Sequence, residues 1–361
     1  MRQRPAHHFC KNTILLCALL SLIHGIGPAQ PSDASGPPWL RDAVRSDDFR
    51  EGDTTFTLMR PLAEAVSTSS PLAAAPVQRQ PSGALSGKVV FAMGGHGWTY
   101  HYDTGQWYTQ RGVTHRVVED LANADQLALF TRLLWQAGAT VVPMRPVGRQ
   151  PVERVIDNND QHATFFGEWA PGMSDLAYQQ RFHHIPYRVS RAGLEETALA
   201  RFRPVLPRAG DYPVYAWARD GADRVNQLYR VVHAGGVTEV RVDHRRVGKG
   251  WILLGTFPFT PGNDGYVEIS NRVVDPYEAD GRSVVVADAI RFGNGMGDVN
   301  RGGGISGYPR EDEASIYWFE RGLPAGADRR LYTGPGEDGA ATVGAPPRVA
   351  AYMNRESQGR F

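Results

Sequence analysis

The stretch Trp251-Ile252-Leu253-Leu254-Gly255, continuing into Thr256-Phe257-Pro258-Phe259, is a short apolar run beside turn residues. Such runs are typical of buried β-strands. Strands repeated at short spacing, with Gly, Asn and Asp turns and no helices between them, indicate an antiparallel β-sandwich or jelly roll. We therefore predict an all-β domain over residues 161–293, with further strands at Tyr212–Trp217, Asn226–Val232, Glu239–Val242, Tyr266–Ser270 and Val284–Ile290.

Upstream of this domain, the sequence has the pattern of a β-α-β unit. Lys88–Gly97 reads KVVFAMGGHG, a strand ending in a Gly-His-Gly turn. Apolar residues at helical spacing then predict a helix from Glu119 to Ala137, and Ala139–Met144 predicts a second strand. Residues 88–160 are therefore expected to open an α/β domain with a mostly parallel sheet.

The segment after the β-rich domain, residues 294–361, is expected to return to the α/β domain. It contains a glycine-rich loop, a predicted helix over Glu311–Arg321, a loop over Gly334–Pro347 and a predicted helix over Val349–Glu356. A parallel sheet normally continues past such a helix. We therefore expect the α/β sheet to be incomplete and the chain to be the front portion of a larger domain.

Residues 1–29 have the pattern of a secretory signal peptide: a basic start, an apolar run over Thr13–Ile26 and small residues after it. The alternative is an uncleaved anchor, although the apolar run is shorter than a bilayer span. Both cysteines, Cys10 and Cys17, lie in this segment, so no disulfide is predicted in the mature chain. We predict a secreted protein, periplasmic or extracellular, with no membrane contact after cleavage.

Residues 30–87, rich in Pro, Ala and Ser, are expected to be a poorly ordered leader or linker.

The composition excludes some classes of partner. The chain has 361 residues, 39 basic and 38 acidic, and a net charge of +1. This balance argues against nucleic acid and anionic membrane surfaces as partners.

His96 and Glu119 form the strongest chemical pair in the sequence. A histidine after a first strand and a glutamate at the start of the next helix supply two zinc ligands, whereas a catalytic zinc site uses about three. The alternative is that His96 is a turn residue and that Glu119 is a first-turn carboxylate favoured by the helix dipole.

The stretches Lys88–Gly97, Glu119–Asn123 and Gly138–Arg145 resemble the opening of the zinc-dependent N-acetylmuramoyl-L-alanine amidases. The resemblance implies that His96 and Glu119 bind zinc and that an active protein would be a hydrolase of peptidoglycan. The family's Asp-Pro-Gly-His is replaced here by Met93-Gly94-Gly95-His96, and its second histidine and catalytic glutamate are not recognisable. We therefore assign no catalytic residue and predict weak or absent hydrolysis. His101 and His115 are alternative sources of a third ligand.

The β-rich segment resembles the golvesin/xanthan-lyase carbohydrate-binding-like domain, on the stretches Phe202–Tyr215, Trp251–Phe259 and Val285–Phe292. The resemblance implies a module inserted into the amidase-like domain, with cell-wall peptidoglycan or an extracellular polysaccharide as its partner. Two alternatives are a non-catalytic polysaccharide-binding protein and an accessory part of a xanthan-lyase-like system.

Sugars stack on exposed aromatic rings, so tryptophans are candidate binding residues. Trp169, before Pro171-Gly172, is the surface candidate in the β-rich segment. Trp98 and Trp107 lie in a loop with three tyrosines, which either lines a groove beside His96 or packs as a small core of its own.

Overall fold

Two mixed β-sheets dominate the computed structural model, which describes residues 13–17, 51, 54–179, 185–334 and 336–357. The seven-stranded sheet has the spatial order β1 (Thr13–Cys17), β4 (Val89–Met93), β9 (Thr140–Pro143), β17 (Trp251–Phe259), β14 (Gly210–Trp217), β20 (Ala289–Phe292) and β10 (Arg154–Asp157). The nine-stranded sheet runs β19 (Val284–Ala287), β12 (Arg188–Arg191), β11 (Ala163–Pro171), β13 (Leu199–Phe202), β18 (Tyr266–Ser270), β15 (Asn226–His233), β16 (Gly236–Asp243) and β3 (Val77–Arg79), with β2 (Thr57–Arg60) also paired to β11.

The remaining elements are two hairpins and a few helices. The hairpins pair β5 (Trp98–His101) with β6 (Gln106–Thr109) and β7 (Val113–Thr114) with β8 (Val117–Val118). The α-helices are α1 (Leu62–Ser67), α2 (Glu119–Gln136), α3 (Ser315–Gly322) and α4 (Asp338–Met353), and short 3-10 helices lie at Pro71–Ala74, Pro276–Glu278, Arg310–Asp312 and Arg329–Leu331.

The antiparallel sandwich predicted from strand spacing is confirmed. β14 pairs antiparallel with both β17 and β20, and β15 pairs antiparallel with β16 and β18. Buried side chains of both sheets belong to one hydrophobic core. This core satisfies the requirement that each sheet buries its apolar face.

The parallel strands of the β-α-β unit do not form a sheet of their own. β4 and β9 pair in parallel, as the crossover predicts, from Val89 opposite Thr140 to Ala92 opposite Pro143. β9 then pairs antiparallel with β17 through Val141 and Leu253. The two strands therefore extend one sheet of the sandwich, and a separate amidase-like α/β sheet is not supported.

The helices cover this junction through tryptophan side chains. Trp135 of α2 donates its indole N–H to the Leu254 carbonyl at 2.9 Å, and Trp318 of α3 donates to the Pro143 carbonyl at 3.2 Å. The Trp318 ring also lies 5.4 Å from the Tyr215 ring. Indole groups of this kind bury a large apolar area while their N–H is satisfied.

Two segments predicted to lack regular structure, the leader or linker over 30–87 and the loop over 334–347, contain strands or helices in their described parts. Within the predicted leader, α1 packs its buried Ala65 against Phe166 and Leu199, because β2 and β3 pair with the nine-stranded sheet and bring this stretch to its surface. α4 begins at Asp338, well before the predicted Val349. Its buried positions include Ala341 and Ala345, so a continuous apolar stripe forms the helix despite two internal prolines.

The predicted signal peptide lies outside the described residues except for β1, which pairs in parallel with β4. Among the described residues, no helix is both long and apolar enough to span a bilayer.

Candidate functional site

The turn that carries His96 packs tightly against α2 on one side and against the Glu313 backbone on the other. Gly95 has a φ of +68°, and a Cβ there would overlap the Asn123 side-chain amide of α2. A Cβ at Gly97 would overlap the backbone carbonyl carbon of Glu313. The glycines therefore let other parts of the chain approach the turn closely, rather than leave open space for a ligand.

Arg145, which follows β9, forms hydrogen bonds with the backbone of this turn. Its fully buried guanidinium donates hydrogen bonds to the carbonyl oxygens of Gly94 at 2.9 Å, of Glu311 at 2.7 Å and of His96. Burial lowers the pKa of Arg145 to about 10. A delocalised cation with several donors is suited to satisfying carbonyls that a tight turn leaves without partners.

The structure brings the two predicted zinc ligands together. His96 Nδ1 lies 3.9 Å from Glu119 Oε1, and Glu119 is the first residue of α2. His96 Nδ1 is buried and has no hydrogen-bond partner, so no hydrogen bond competes with a metal for this atom. The Glu119 carboxylate also lies 3.7 Å from the guanidinium Nε of Arg111.

A third ligand for this pair is missing from the described part of the chain. There, the one group of three metal-type ligand atoms lying within 4.8 Å of one another belongs to His101, Asp103 and Glu337 and includes neither His96 nor Glu119. His115 is exposed, with a φ of +51°. The described residues around His96 therefore supply two ligands, whereas a catalytic zinc site uses about three.

The two loop tryptophans pack mainly within the protein. The Trp98 ring stacks on Tyr308 with centroids 4.0 Å apart and an interplanar angle of 8°. Trp107 lies against Tyr100 and Tyr317, with its indole N–H 3.4 Å from the Gly304 carbonyl. Of the two arrangements left open by the sequence, the structure forms the small core. Trp98 and Trp107 are half-buried, whereas Tyr102 and Tyr308 are exposed.

Trp169 does not form a surface platform, which corrects that expectation. Its side chain exposes 1% of its area, its indole N–H donates to the Phe166 carbonyl at 2.9 Å, and its ring meets Phe165 edge to face. The reason is its place on β11, where it points into the core between the sheets.

A cleft of about 640 Å³ lies in the β-rich domain, at the edge strand β10. Acidic and amide side chains supply most of its polar lining, together with one tyrosine. A volume of this order is typical of small-ligand sites. The lining residues are Glu153, Arg154, Val155, Asp157, Asn159, Asp160, Tyr178, Gln179, Ile185 and Pro186.

Charges around this cleft are partly neutralised. Glu153 pairs with the buried Arg291 at 3.2 Å. Asp157 accepts hydrogen bonds from the backbone and side-chain N–H groups of Asn159, both at 2.9 Å. Behind it, burial and the neighbouring Asp157 raise the pKa of Asp288 well above its ordinary value, which favours a neutral carboxyl group there. Asp288 accepts from the backbone N–H of Tyr178 at 3.2 Å.

The cleft could not be predicted from the sequence. Its described walls come from the stretch around β10 and from Tyr178, Gln179, Ile185 and Pro186, and only folding brings them together. The local signal was the run Asp157-Asn158-Asn159-Asp160, which also has the composition of an ordinary turn.

These features define an antiparallel β-sandwich with a polar cleft at a sheet edge. Residues 154–294 match the family model of the Golvesin C-terminal domain. The chain therefore contains a golvesin-like module, as the sequence stretches indicated.

Two curated proteins are similar over longer or comparable stretches. Xanthan lyase of Bacillus sp. (strain GL1) is 30% identical over 220 residues, which cover 59% of this chain and 22% of the lyase. Golvesin of Dictyostelium discoideum is 27% identical over 144 residues, covering 39% of this chain and 23% of golvesin. A solved structure of Paenibacillus xanthan lyase overlaps 40% of this chain and 13% of the lyase, with 26% identity and a TM-score of 0.33. The chain thus spans less than a quarter of each of these relatives.

Proposed function

We propose that this chain is a non-catalytic polysaccharide-binding protein and that its golvesin-like module makes the contact. The observation that carries the proposal is the similarity to a xanthan lyase over 59% of the chain, a stretch longer than the module at residues 154–294. The similarity thus includes residues outside the module. Because xanthan lyase is named for a polysaccharide, we assign polymer binding to the part that this chain shares with it.

The cleft beside β10 is the proposed contact site. Sugar hydroxyl groups need both donors and acceptors, and this cleft offers amide, carboxylate and guanidinium groups within one concave surface. Its exposed polar members are Arg154, Asn159 and Gln179. Because Trp169 is buried in the core, it offers no aromatic platform for a sugar, and the polar cleft is the better candidate.

Binding is tested by affinity electrophoresis of the full chain in gels containing xanthan, a neutral β-glucan or no polymer, with sedimentation on insoluble peptidoglycan as the further arm. We expect retardation by at least one polymer. Asn159→Ala and Arg154→Ala should weaken it by about tenfold or more, which corresponds to about 1.4 kcal/mol. Arg79→Ala is the matched control, because Arg79 is exposed on β3, away from the cleft lining.

The two parts of the proposal fail separately. If no polymer retards or sediments the protein, polysaccharide binding is wrong. If binding is intact in Asn159→Ala and Arg154→Ala, the function stands and the cleft is not the site.

A zinc hydrolase of peptidoglycan is the second candidate, and the 3.9 Å approach of His96 to Glu119 is the observation that favours it. Since the described residues supply only these two ligands, we expect no release of peptide from peptidoglycan in the presence of zinc. Measured turnover that disappears in Glu119→Gln would place this candidate first. Secretion is part of either proposal, and recovery of the expressed protein from the periplasm or medium tests it.

A further inference from the structure

A second group of residues that can bind a metal lies at the far end of strand β5 from His96. His101 is the last residue of β5, Asp103 is in the turn that follows, and Glu337 immediately precedes α4. One ligand atom from each of these residues lies within 4.8 Å of the other two. The three residues come from two segments more than two hundred residues apart, so only the fold brings them together.

The ligand atoms of this group are not engaged elsewhere. His101 Nδ1 is buried and has no hydrogen-bond partner. Its nearest carboxylate, Glu337 Oε1, is 3.7 Å away, too far for a hydrogen bond. Glu337 occupies the N-cap position of α4, but its side chain makes no capping hydrogen bond. A buried imidazole nitrogen without a partner costs free energy, and a cation held by both carboxylates would supply that partner.

The backbone around the group is tied down on both sides. The Tyr102 hydroxyl donates to Asp338 at 3.2 Å, which joins the hairpin to the start of α4. The Tyr317 hydroxyl accepts the backbone N–H of Tyr100 at 2.8 Å and donates to Asp338 at 2.8 Å. The His101 ring rests edge-on against Tyr108 at 5.4 Å. These contacts hold the hairpin and the start of α4 beside each other, and thus keep the three ligand residues close together.

We propose that His101, Asp103 and Glu337 bind a zinc ion that clamps the β5–β6 hairpin to the N-terminus of α4. One imidazole nitrogen and two carboxylate oxygens suit Zn²⁺, which takes these donors at about 2.0–2.2 Å and leaves a fourth position for water. Calcium and magnesium prefer oxygen ligands throughout, so they are the weaker competitors. The site is independent of His96 and Glu119 and does not rest on the polysaccharide proposal.

The test is calorimetric titration of the chelator-treated full chain with zinc chloride, beside calcium chloride, together with thermal unfolding in each ion. We expect zinc binding with a raised Tm. His101→Asn and Glu337→Gln should each weaken zinc binding by tenfold or more and remove the shift in Tm. His115→Asn is the matched control, because His115 is an exposed histidine of the neighbouring loop with a left-handed backbone that asparagine accepts.

His96→Asn separates the two candidate metal positions. Zinc binding that survives in His96→Asn and fails in both His101→Asn and Glu337→Gln supports the proposal. Zinc binding that fails only in His96→Asn, or an absence of zinc binding by the wild-type chain, overturns it. Circular dichroism of each variant shows whether it is folded. If His101→Asn does not fold, Glu337→Gln still tests the proposal.

Discussion

The buried histidine of the sandwich makes stability depend on pH in a way that can be measured. His244 is fully buried, its Nδ1 lies 3.0 Å from the Val247 carbonyl, and its Nε2 lies 2.7 Å from the Tyr229 hydroxyl. Since a carbonyl only accepts, Nδ1 carries the proton and Nε2 accepts from Tyr229. Gln227 in turn donates to the Tyr229 hydroxyl at 2.7 Å, so the chain of hydrogen bonds is complete with a neutral imidazole.

Burial lowers the pKa of His244 to about 4 from an ordinary value of 6.5. The folded-state pKa lies below that of the unfolded chain, so the unfolded chain takes up the proton first as the pH falls. The contribution to stability is present above about pH 6.5 and is lost progressively as the pH falls toward 4. By linkage, lowering the pH from 7 to 5 costs the folded state about 2 kcal/mol through this one group.

The assay is guanidinium unfolding of the wild-type chain and of His244→Gln at pH 7 and pH 5. Glutamine removes the titrating group, and carboxylates contribute equally to both proteins. We expect the wild type to lose about 2 kcal/mol more than the variant between the two pH values. The exposed His115→Gln should behave as the wild type. Equal losses in wild type and His244→Gln, or a His244 ring that titrates near pH 6.5 by NMR, would refute the reasoning.

Two further outcomes are expected. Because burial raises the folded-state pKa of Asp288 above its ordinary 3.8, its neutral form contributes stability that is fully present below about pH 3.8 and is lost as the pH rises from there through the raised pKa. Asp288→Asn should flatten that loss in unfolding free energies measured at a series of pH values from 3.8 upward. Gly97→Ala should cost about 1–3 kcal/mol of unfolding free energy, because its methyl group would overlap the Glu313 backbone, whereas Gly112→Ala in the neighbouring loop, with no atom within 4 Å, should cost far less. Equal effects of the two alanines would show that the Glu313 backbone moves away without cost.

The strands of the sandwich could be predicted because their signal is local. Trp251–Phe259 alternates or runs apolar over its whole length, and Val284–Ala287 is continuously apolar and fully buried. The helix from Glu119 was likewise predictable to within one residue, since Ala124, Leu127 and Leu134 repeat at helical spacing and are buried.

The arrangement of those elements could not be predicted, because it depends on contacts between distant residues. Pairing of Val141 with Leu253 merges the parallel strands into the sandwich, and nothing near either residue encodes that choice. The cluster at His101 has the same origin, because it joins His101 and Asp103 to Glu337, which lies more than two hundred residues later. The cleft needs a shorter connection, between β10 and the lining residues that follow Tyr178. For Trp169, the nearby Pro and Gly indicated exposure, but the sheet on which it lies buried it.

The surroundings of His96 can be explained by packing without any hydrolytic role. A hydrolytic zinc site needs an open coordination position and room for a substrate beside it. Here Asn123 and the Glu313 backbone approach the turn so closely that a Cβ at Gly95 or Gly97 would overlap them. Arg145 also satisfies the carbonyls of the turn and that of Glu311, and thus joins the end of β9 to the segment before α3. The Gly-His-Gly turn therefore has a sufficient structural purpose as the point where the parallel strands, α2 and the late segment meet. The proposed sites are then the cleft at β10 for the polysaccharide and the cluster at His101 for zinc.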